Sequence, residues 1–149
     1  MLKILVVEDN PHKLNKIVDS IKSNDIEVQI DICRSFTSGW NEIKDNHFDL
    51  ICLDMSLPTF DESETESGGR LRIFGGKELA KKMKRKKIEA KYIFITHYKS
   101  FSDNHKTYTF EELKSELLND YKNKCLGVIF YHNKISSWRD ELKSHLMEL

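Results

Sequence analysis

The stretch LICLDMSLP, residues 50–58, decides the fold. Four apolar residues lead into Asp54, and Pro58 follows four positions later. A short apolar run that ends in polar and turn residues is typical of a buried strand in a parallel sheet. The segments ILVVED (4–9) and YIFIT (92–96) show the same pattern. Since ligands of such sheets bind at the carboxyl ends of the strands, the sequence predicts three polar strand ends on one rim.

The same alternation extends along the whole chain and predicts five strand–helix units. The strands are expected at about 3–8 and 27–33, in the runs that end at Asp54 and Thr96, and at 128–131. The helices are expected to begin at Pro11 behind an Asn10 cap, at Ser35, near Gly75, behind a Thr109–Glu112 capping box, and at Ser136 or Ser137. With right-handed crossovers, this order predicts an α/β fold: a flavodoxin-like, doubly wound, five-stranded parallel sheet with strand order 2-1-3-4-5 and helices on both faces.

Two connections are longer than this fold requires. Residues 59–74 are rich in Ser, Glu and Gly, and residues 97–108 separate the fourth strand from its helix. Both leave the carboxyl ends of strands, so we expect both insertions to flank the site. After the fifth helix no sequence remains for a second domain, which predicts a single domain over 1–149 without an output domain.

Composition limits the class of function. The chain has 24 Lys and Arg and 24 Asp and Glu, so its net charge is zero and a nucleic-acid partner is not expected. No apolar run approaches the ~20 residues of a membrane span, and the first strand begins where a signal peptide would lie. The three cysteines form no metal-binding pattern and are expected to be buried free thiols. These features predict a cytoplasmic protein.

The segments KILVVEDN (3–10) and LICLDMSLP (50–58) resemble those of the response-regulator receiver domain of two-component signalling. The resemblance covers nearly the whole chain, including the order of its elements. It implies that Asp54 is the phosphoacceptor. It also implies a Mg²⁺ ion held by Glu8, Asp9, Asp54 and the backbone carbonyl of Ser56.

The resemblance extends less fully to the fourth and fifth strands. It implies that Thr96 is the switch hydroxyl that bonds the phosphoryl group. Lys134 is the candidate for the lysine that pairs with this group, and Tyr131 is the candidate switch aromatic. The family lysine is usually followed by proline, whereas Ile135 stands here, and His132 remains an alternative occupant of the lysine's place.

The chemistry of these residue types agrees with that implication. Carboxylates gathered on one rim repel one another, and a magnesium ion relieves the repulsion while leaving room for phosphate. Asp54 then acts as a nucleophile that forms an acyl phosphate, and a lysine and a hydroxyl compensate the added charge.

The leading hypothesis is a stand-alone response regulator. A histidine kinase or phosphotransfer protein would phosphorylate Asp54, and the face of the fourth helix, fifth strand and fifth helix would signal to a separate protein. The same face is a candidate homodimer contact. The chain is not expected to be an enzyme beyond catalysing its own phosphorylation and dephosphorylation.

Two alternatives remain. One is a pseudo-receiver that binds proteins without phosphorylation. The other is a magnesium-dependent phosphohydrolase or nuclease. The second is disfavoured because Met55-Ser56 places no acidic residue two positions after Asp54.

Overall fold

A computed structural model describes all residues, 1–149, and is built around one five-stranded parallel sheet. Its strands are β1 (Leu2–Val7), β2 (Val28–Cys33), β3 (Leu50–Leu53), β6 (Lys91–Thr96) and β9 (Cys125–Phe130). They lie in the order β2-β1-β3-β6-β9, and every neighbouring pair is parallel. This is the predicted 2-1-3-4-5 order, so the flavodoxin-like fold is confirmed.

Five helices cover the two faces of this sheet. They are α1 (Pro11–Lys22), α2 (Phe36–Asp45), α3 (Gly75–Arg85), α4 (Phe110–Asp120) and α5 (Ser137–Met147). One buried cluster joins the sheet to α1 and α5, and the other joins it to α2, α3 and α4. In β1, β3 and β6 successive buried residues enter opposite clusters, which is why these strands carry apolar runs, whereas the edge strand β2 also contains Gln29 and Asp31. None of the helices combines the length and the apolar character that crossing a bilayer requires.

Local capping fixes where three of the helices begin. Asn10 Oδ1 accepts a hydrogen bond from the Lys13 amide at 3.0 Å, and Pro11 opens α1. Ser35 caps α2, and Thr109 and Glu112 form the predicted capping box of α4. The helix starts expected from the sequence are therefore confirmed. The α1 cap matters most for the site, because it sets the direction of α1 immediately after β1.

The two insertions contain short antiparallel ladders as well as loops. Strand β4 (Leu57–Pro58), immediately before the first insertion, pairs with β5 (Leu71–Arg72) within it; at the second insertion β7 (Ser100–Ser102) pairs with β8 (Thr107–Thr109). The alternation in Ser-Phe-Ser and Thr-Tyr-Thr explains the second ladder, since it places Phe101 and Tyr108 opposite each other on one face.

The two insertions meet at Phe74. Its ring centroid lies 6.1 Å from that of Phe101 and 5.6 Å from that of Tyr108. Phe101 is buried, so this contact belongs to the core of the α2–α3–α4 face. The residues around the tip of the first insertion, 60–67, are all exposed.

Candidate functional site

The site is built where β1, β3 and β6 end side by side. Val7 is the register partner of Leu53, and Leu53 is the partner of Phe94, so the residues that follow these strands become neighbours. The Asp54 amide also donates to the Val7 carbonyl at 3.0 Å. The structure thus brings Glu8, Asp9 and Asp54 to one rim. Asp54 follows directly after β3, because that strand ends at Leu53 rather than at Asp54 itself.

Asp54 is held firmly and is almost enclosed. Its side chain is 5% exposed. One carboxylate oxygen, Oδ1, accepts a hydrogen bond from the Met55 amide at 2.8 Å and lies 3.1 Å from the ammonium nitrogen of Lys13. The other oxygen accepts no hydrogen bond. Asp54 therefore keeps one oxygen for reaction while the other fixes its orientation.

Lys13 is a member of this site that the sequence interpretation did not identify. Its Nζ lies 2.7 Å from Glu8 Oε1 and donates to the Ile95 carbonyl oxygen at 2.7 Å, in addition to its contact with Asp54. The side chain is only 2% exposed.

Two sequence signals point to Lys13. It falls four residues before Ile17 on the buried face of α1, where a lysine is out of pattern. It also lies in the first turn of a helix, where the macrodipole disfavours a cation. Local rules broken in this way are typical of functional positions.

The charges of the site do not cancel. Burial and the negative charge of Asp54 raise the pKa of Glu8 to about 7, because the nearby Lys13 only partly offsets them. Burial lowers the pKa of Lys13, but the carboxylates of Asp54 and Glu8 outweigh it and the net shift is upward. Lys13 is thus a charged ammonium at neutral pH. Lys13 pairs with two of the three carboxylates, Glu8 and Asp54, whereas the third, Asp9, is repelled by Asp54 and is attracted by Arg34.

Asp9 is the least constrained of the three carboxylates. It is half-buried, and its side chain accepts no hydrogen bond. Burial raises its pKa, the charge of Glu62 in the first insertion raises it further, and Arg34 opposes both. Asp9 therefore has no hydrogen-bonded or ion-paired partner in this structure. The charge of Glu62 acts on it because the first insertion extends toward the rim.

The donor set fits a magnesium ion. No three carboxylate, imidazole or thiolate groups form a ready-made coordination sphere. The Glu8 carboxylate is occupied by Lys13 and by the Asn10 amide. The groups that remain available as metal ligands are Asp9, the second oxygen of Asp54 and the Ser56 carbonyl. Two carboxylates and a carbonyl, completed by water and phosphate oxygens, are the kind of set that Mg²⁺ takes. A cation at this position would also relieve the repulsion between Asp9 and Asp54.

Thr96 lies at the end of β6 and is fully buried. Its hydroxyl accepts a hydrogen bond from the Tyr98 amide at 3.3 Å. In the sheet Thr96 is the register partner of Phe130, so both side chains stand on the α4 side. The rings of Phe130 and Phe110 of α4 are 5.6 Å apart, which connects Thr96 to that helix.

The structure does not place Tyr131 beside the Thr96 side chain. Tyr131 is directed to the opposite face, where its ring lies 5.0 Å from Trp138 of α5 and 5.9 Å from the ammonium of Lys13. Strand β9 covers Cys125–Phe130 rather than 128–131, and successive residues of a strand alternate between faces. The aromatic neighbour of Thr96 is therefore Phe130.

The structure also leaves Lys134 outside the group. Lys134 is exposed in the loop between β9 and α5, and its side chain forms no ion pair. Its amide donates to His132 Nδ1 at 3.0 Å, which closes a tight turn directly after β9. His132 does not bond to Asp54 either; it lines a cleft of about 280 Å³ together with Lys13 and His97.

No established family profile matches the chain. Two curated proteins are similar to it over 99% of its length, each at 27% identity. One is the Detocs response regulatory protein DtcB of Enterobacter cloacae, matched over its entire length, and the other is the uncharacterized protein y4jR of Sinorhizobium fredii, matched over 99% of its length.

Solved structures show the same architecture. The Mn²⁺-bound form of the response regulator Rcp1 has a TM-score of 0.63 at 16% identity, with 97% of this chain and 91% of that chain covered. TrrA of Thermotoga maritima, in complex with Mg²⁺ and BeF, has a TM-score of 0.58 at 19% identity, with 97% and 99% covered. In fold this chain is similar to the receiver domains of response regulators, and over its whole length it is similar in sequence to one response regulatory protein.

Proposed function

We propose that this chain is a stand-alone response regulator that receives a phosphoryl group on Asp54 from a histidine kinase or phosphotransfer protein. The observation that carries the proposal is the setting of Asp54. Its carboxylate lies at the end of the central strand β3, with one oxygen fixed by the Met55 amide and Lys13 and the other available. The carboxylates of Glu8 and Asp9 stand beside it. Such a site suits transfer of an anionic group when a cation is bound.

The proposed reaction is a nucleophilic displacement. The available oxygen of Asp54 attacks phosphorus and forms a P–O bond, the P–N bond of the donor phosphohistidine breaks, and the imidazole leaves with its electron pair and takes up a proton. Asp9, Asp54 and the Ser56 carbonyl would hold Mg²⁺, with Glu8 adjacent. The ion supplies positive charge to the transferring group. The surrounding side chains hold the acceptor oxygen in place and limit access by water.

The output is proposed to be a changed surface rather than a chemical product. Thr96 would move toward the phosphorylated Asp54, and its neighbours on β9 and α4 would respond. The face of α4, β9 and α5 would then bind a separate protein or a second copy of the chain. The name of the Enterobacter cloacae relative, a response regulatory protein, supports this general role.

The test is phosphorylation of the purified chain by acetyl phosphate in the presence of Mg²⁺. Intact-mass measurement should show one added phosphoryl group in the wild type and none in Asp54→Asn, because the amide is not a nucleophile. Asp45→Asn, an exposed position at the end of α2, is the matched control and should react like the wild type. An adduct that persists in Asp54→Asn would exclude Asp54 as the acceptor.

A second candidate function is the pseudo-receiver, a protein-binding module that needs no phosphorylation. It is favoured by one observation: Asp54 already has a cationic partner in Lys13, so its charge is partly compensated without any ligand. A wild-type protein that neither reacts with acetyl phosphate nor binds beryllium trifluoride, a mimic of the phosphoryl group, would favour this candidate.

A further inference from the structure

Lys13 is the one buried cation of the chain. Of 24 lysines and arginines, no other falls among the buried residues. Burying an ammonium is costly unless it is paired and hydrogen-bonded. Here the pairing is to the two buried carboxylates of the rim, Glu8 and Asp54. Packing of the buried face of α1 would require only an apolar residue at this position. The charge of Lys13 therefore acts on the carboxylates of the rim.

We propose that Lys13, projecting from α1, is the cation that binds the phosphoryl group carried by Asp54, and that Lys134 has no part in the site. The inference rests on the proposed function and adds the residue that recognises the transferred group. Lys13 Nζ is 3.1 Å from Asp54 Oδ1, so it is already within bonding distance of the acceptor carboxylate.

The change of charge at Asp54 explains how Lys13 would act. In the free protein the ammonium faces a carboxylate. After transfer, the carboxylate has become part of an acyl phosphate and the negative charge lies on the phosphoryl oxygens. A short shift of the ammonium keeps it paired, and a charged hydrogen bond to those oxygens replaces the one to Oδ1.

The hydrogen bond to the Ile95 carbonyl supports this role. Ile95 precedes Thr96 in β6, and Lys13 donates to its oxygen at 2.7 Å. The bond places the ammonium between the ends of β1, β3 and β6, beside the acceptor. The lysine is therefore oriented by the sheet and not only by its own helix. Such orientation lowers the entropic cost of holding a long side chain on an anion.

Lys134 is in the opposite situation. Its exposed side chain lies four residues beyond the end of β9 and has no carboxylate partner. The space at the end of β9 is instead a cleft that Lys13 lines from the side of α1. The cation of the site thus comes from the first helix, while the loop after the last strand supplies none.

Two ligands of opposite charge test the proposal. Beryllium trifluoride binding, followed by fluorine NMR at saturating Mg²⁺, should weaken roughly tenfold or more in Lys13→Met, since a charged hydrogen bond is lost. Mg²⁺ binding, followed by calorimetry, should instead be unchanged or tighter, because a competing cation has been removed. A variant with a damaged fold would lose both ligands, so the opposite responses separate recognition from structure.

Lys134→Met is the matched control and should bind both ligands as the wild type does. Equal beryllium trifluoride affinity in Lys13→Met and wild type, or a loss confined to Lys134→Met, would overturn the inference while leaving the proposed function intact. Absence of binding in the wild type would overturn both.

A second measurement requires no variant. In a crystal structure of the wild-type protein with Mg²⁺ and beryllium trifluoride, Lys13 Nζ should lie within hydrogen-bond distance of a fluorine, with Lys134 in solvent. A fluorine contact made by Lys134 in place of Lys13 would reject the proposal even if Lys13→Met does not fold.

Discussion

Glu8 and Asp9 are adjacent residues with different environments. Glu8 is 1% exposed and is paired with Lys13, whereas Asp9 is half-buried and has no hydrogen-bond partner. The difference follows from the end of β1, where the chain turns into α1 and consecutive side chains diverge. Asp9 is thus the carboxylate that is free to meet a metal ion, and Glu8 is the one that holds the lysine.

Replacing Asp9 by Asn should weaken Mg²⁺ binding roughly tenfold or more, since one anionic ligand becomes neutral and a single charged contact has that magnitude. Calorimetric titration measures the effect. Folding should be nearly unaffected, because the Asp9 side chain has no partner to lose. Asp45→Asn is the control far from the rim, and equal Mg²⁺ affinity in Asp9→Asn and wild type would reject Asp9 as a ligand.

At the scale of elements, the start of α3 is fitted closely to the backbone of the acceptor. A β-carbon on Gly76 would lie 2.3 Å from the carbonyl oxygen of Asp54, which is too close for any side chain. The Gly76 amide also donates to the Met55 carbonyl at 2.8 Å. The glycine therefore allows α3 to approach the loop that carries Asp54, Met55 and Ser56.

Gly76→Ala should lower the free energy of unfolding by about 1–3 kcal/mol, the usual cost of overpacking a close contact. Urea denaturation measures this cost. Gly39→Ala is the comparison, because a β-carbon there would meet Val7 methyl groups at 3.0 Å, and side chains yield more readily than backbone. A Gly76→Ala protein that unfolds at the wild-type urea concentration would show that α3 can retreat without cost.

At the scale of the whole molecule, the rim is connected to the face of α4, β9 and α5. Thr96, Phe130 and Phe110 lead from the rim to α4, while Lys13, Tyr131 and Trp138 lead to α5. Both connections run through packed side chains of a buried sheet. A shift at Asp54 therefore has two physical routes to the proposed signalling surface.

Thr96→Ala should leave beryllium trifluoride binding within a few-fold of the wild type but reduce the change that this ligand causes in α4. Without the hydroxyl, the Thr96 side chain cannot form its proposed hydrogen bond to the ligand. Amide hydrogen exchange over 110–120, with and without ligand, measures the response. Thr107→Ala, an exposed substitution in β8, is the control. An undiminished response in Thr96→Ala would show that the coupling to α4 does not depend on the Thr96 hydroxyl.

The insertions belong to this scale as well, because they contact each other through Phe74, Phe101 and Tyr108. The second insertion stands between Thr96 and α4, and the first carries Glu62 toward Asp9. The alternation of apolar and polar residues is consistent with the β7–β8 ladder. The contact between the two insertions, by contrast, depends on the tertiary structure and is not visible in the sequence.

The sequence by itself determined the order of strands and helices, three of the helix caps, and the meeting of Glu8, Asp9 and Asp54. These features follow from local patterns, and in a parallel sheet residues that directly follow neighbouring strands share a rim. Only the tertiary structure decided the roles of the last strand and of Lys13. A shift of one residue in the end of β9 exchanges Tyr131 for Phe130 on the Thr96 side, because strand side chains alternate. The partner of a long lysine side chain depends on which strand ends are packed beside its helix, and a local pattern contains no such information.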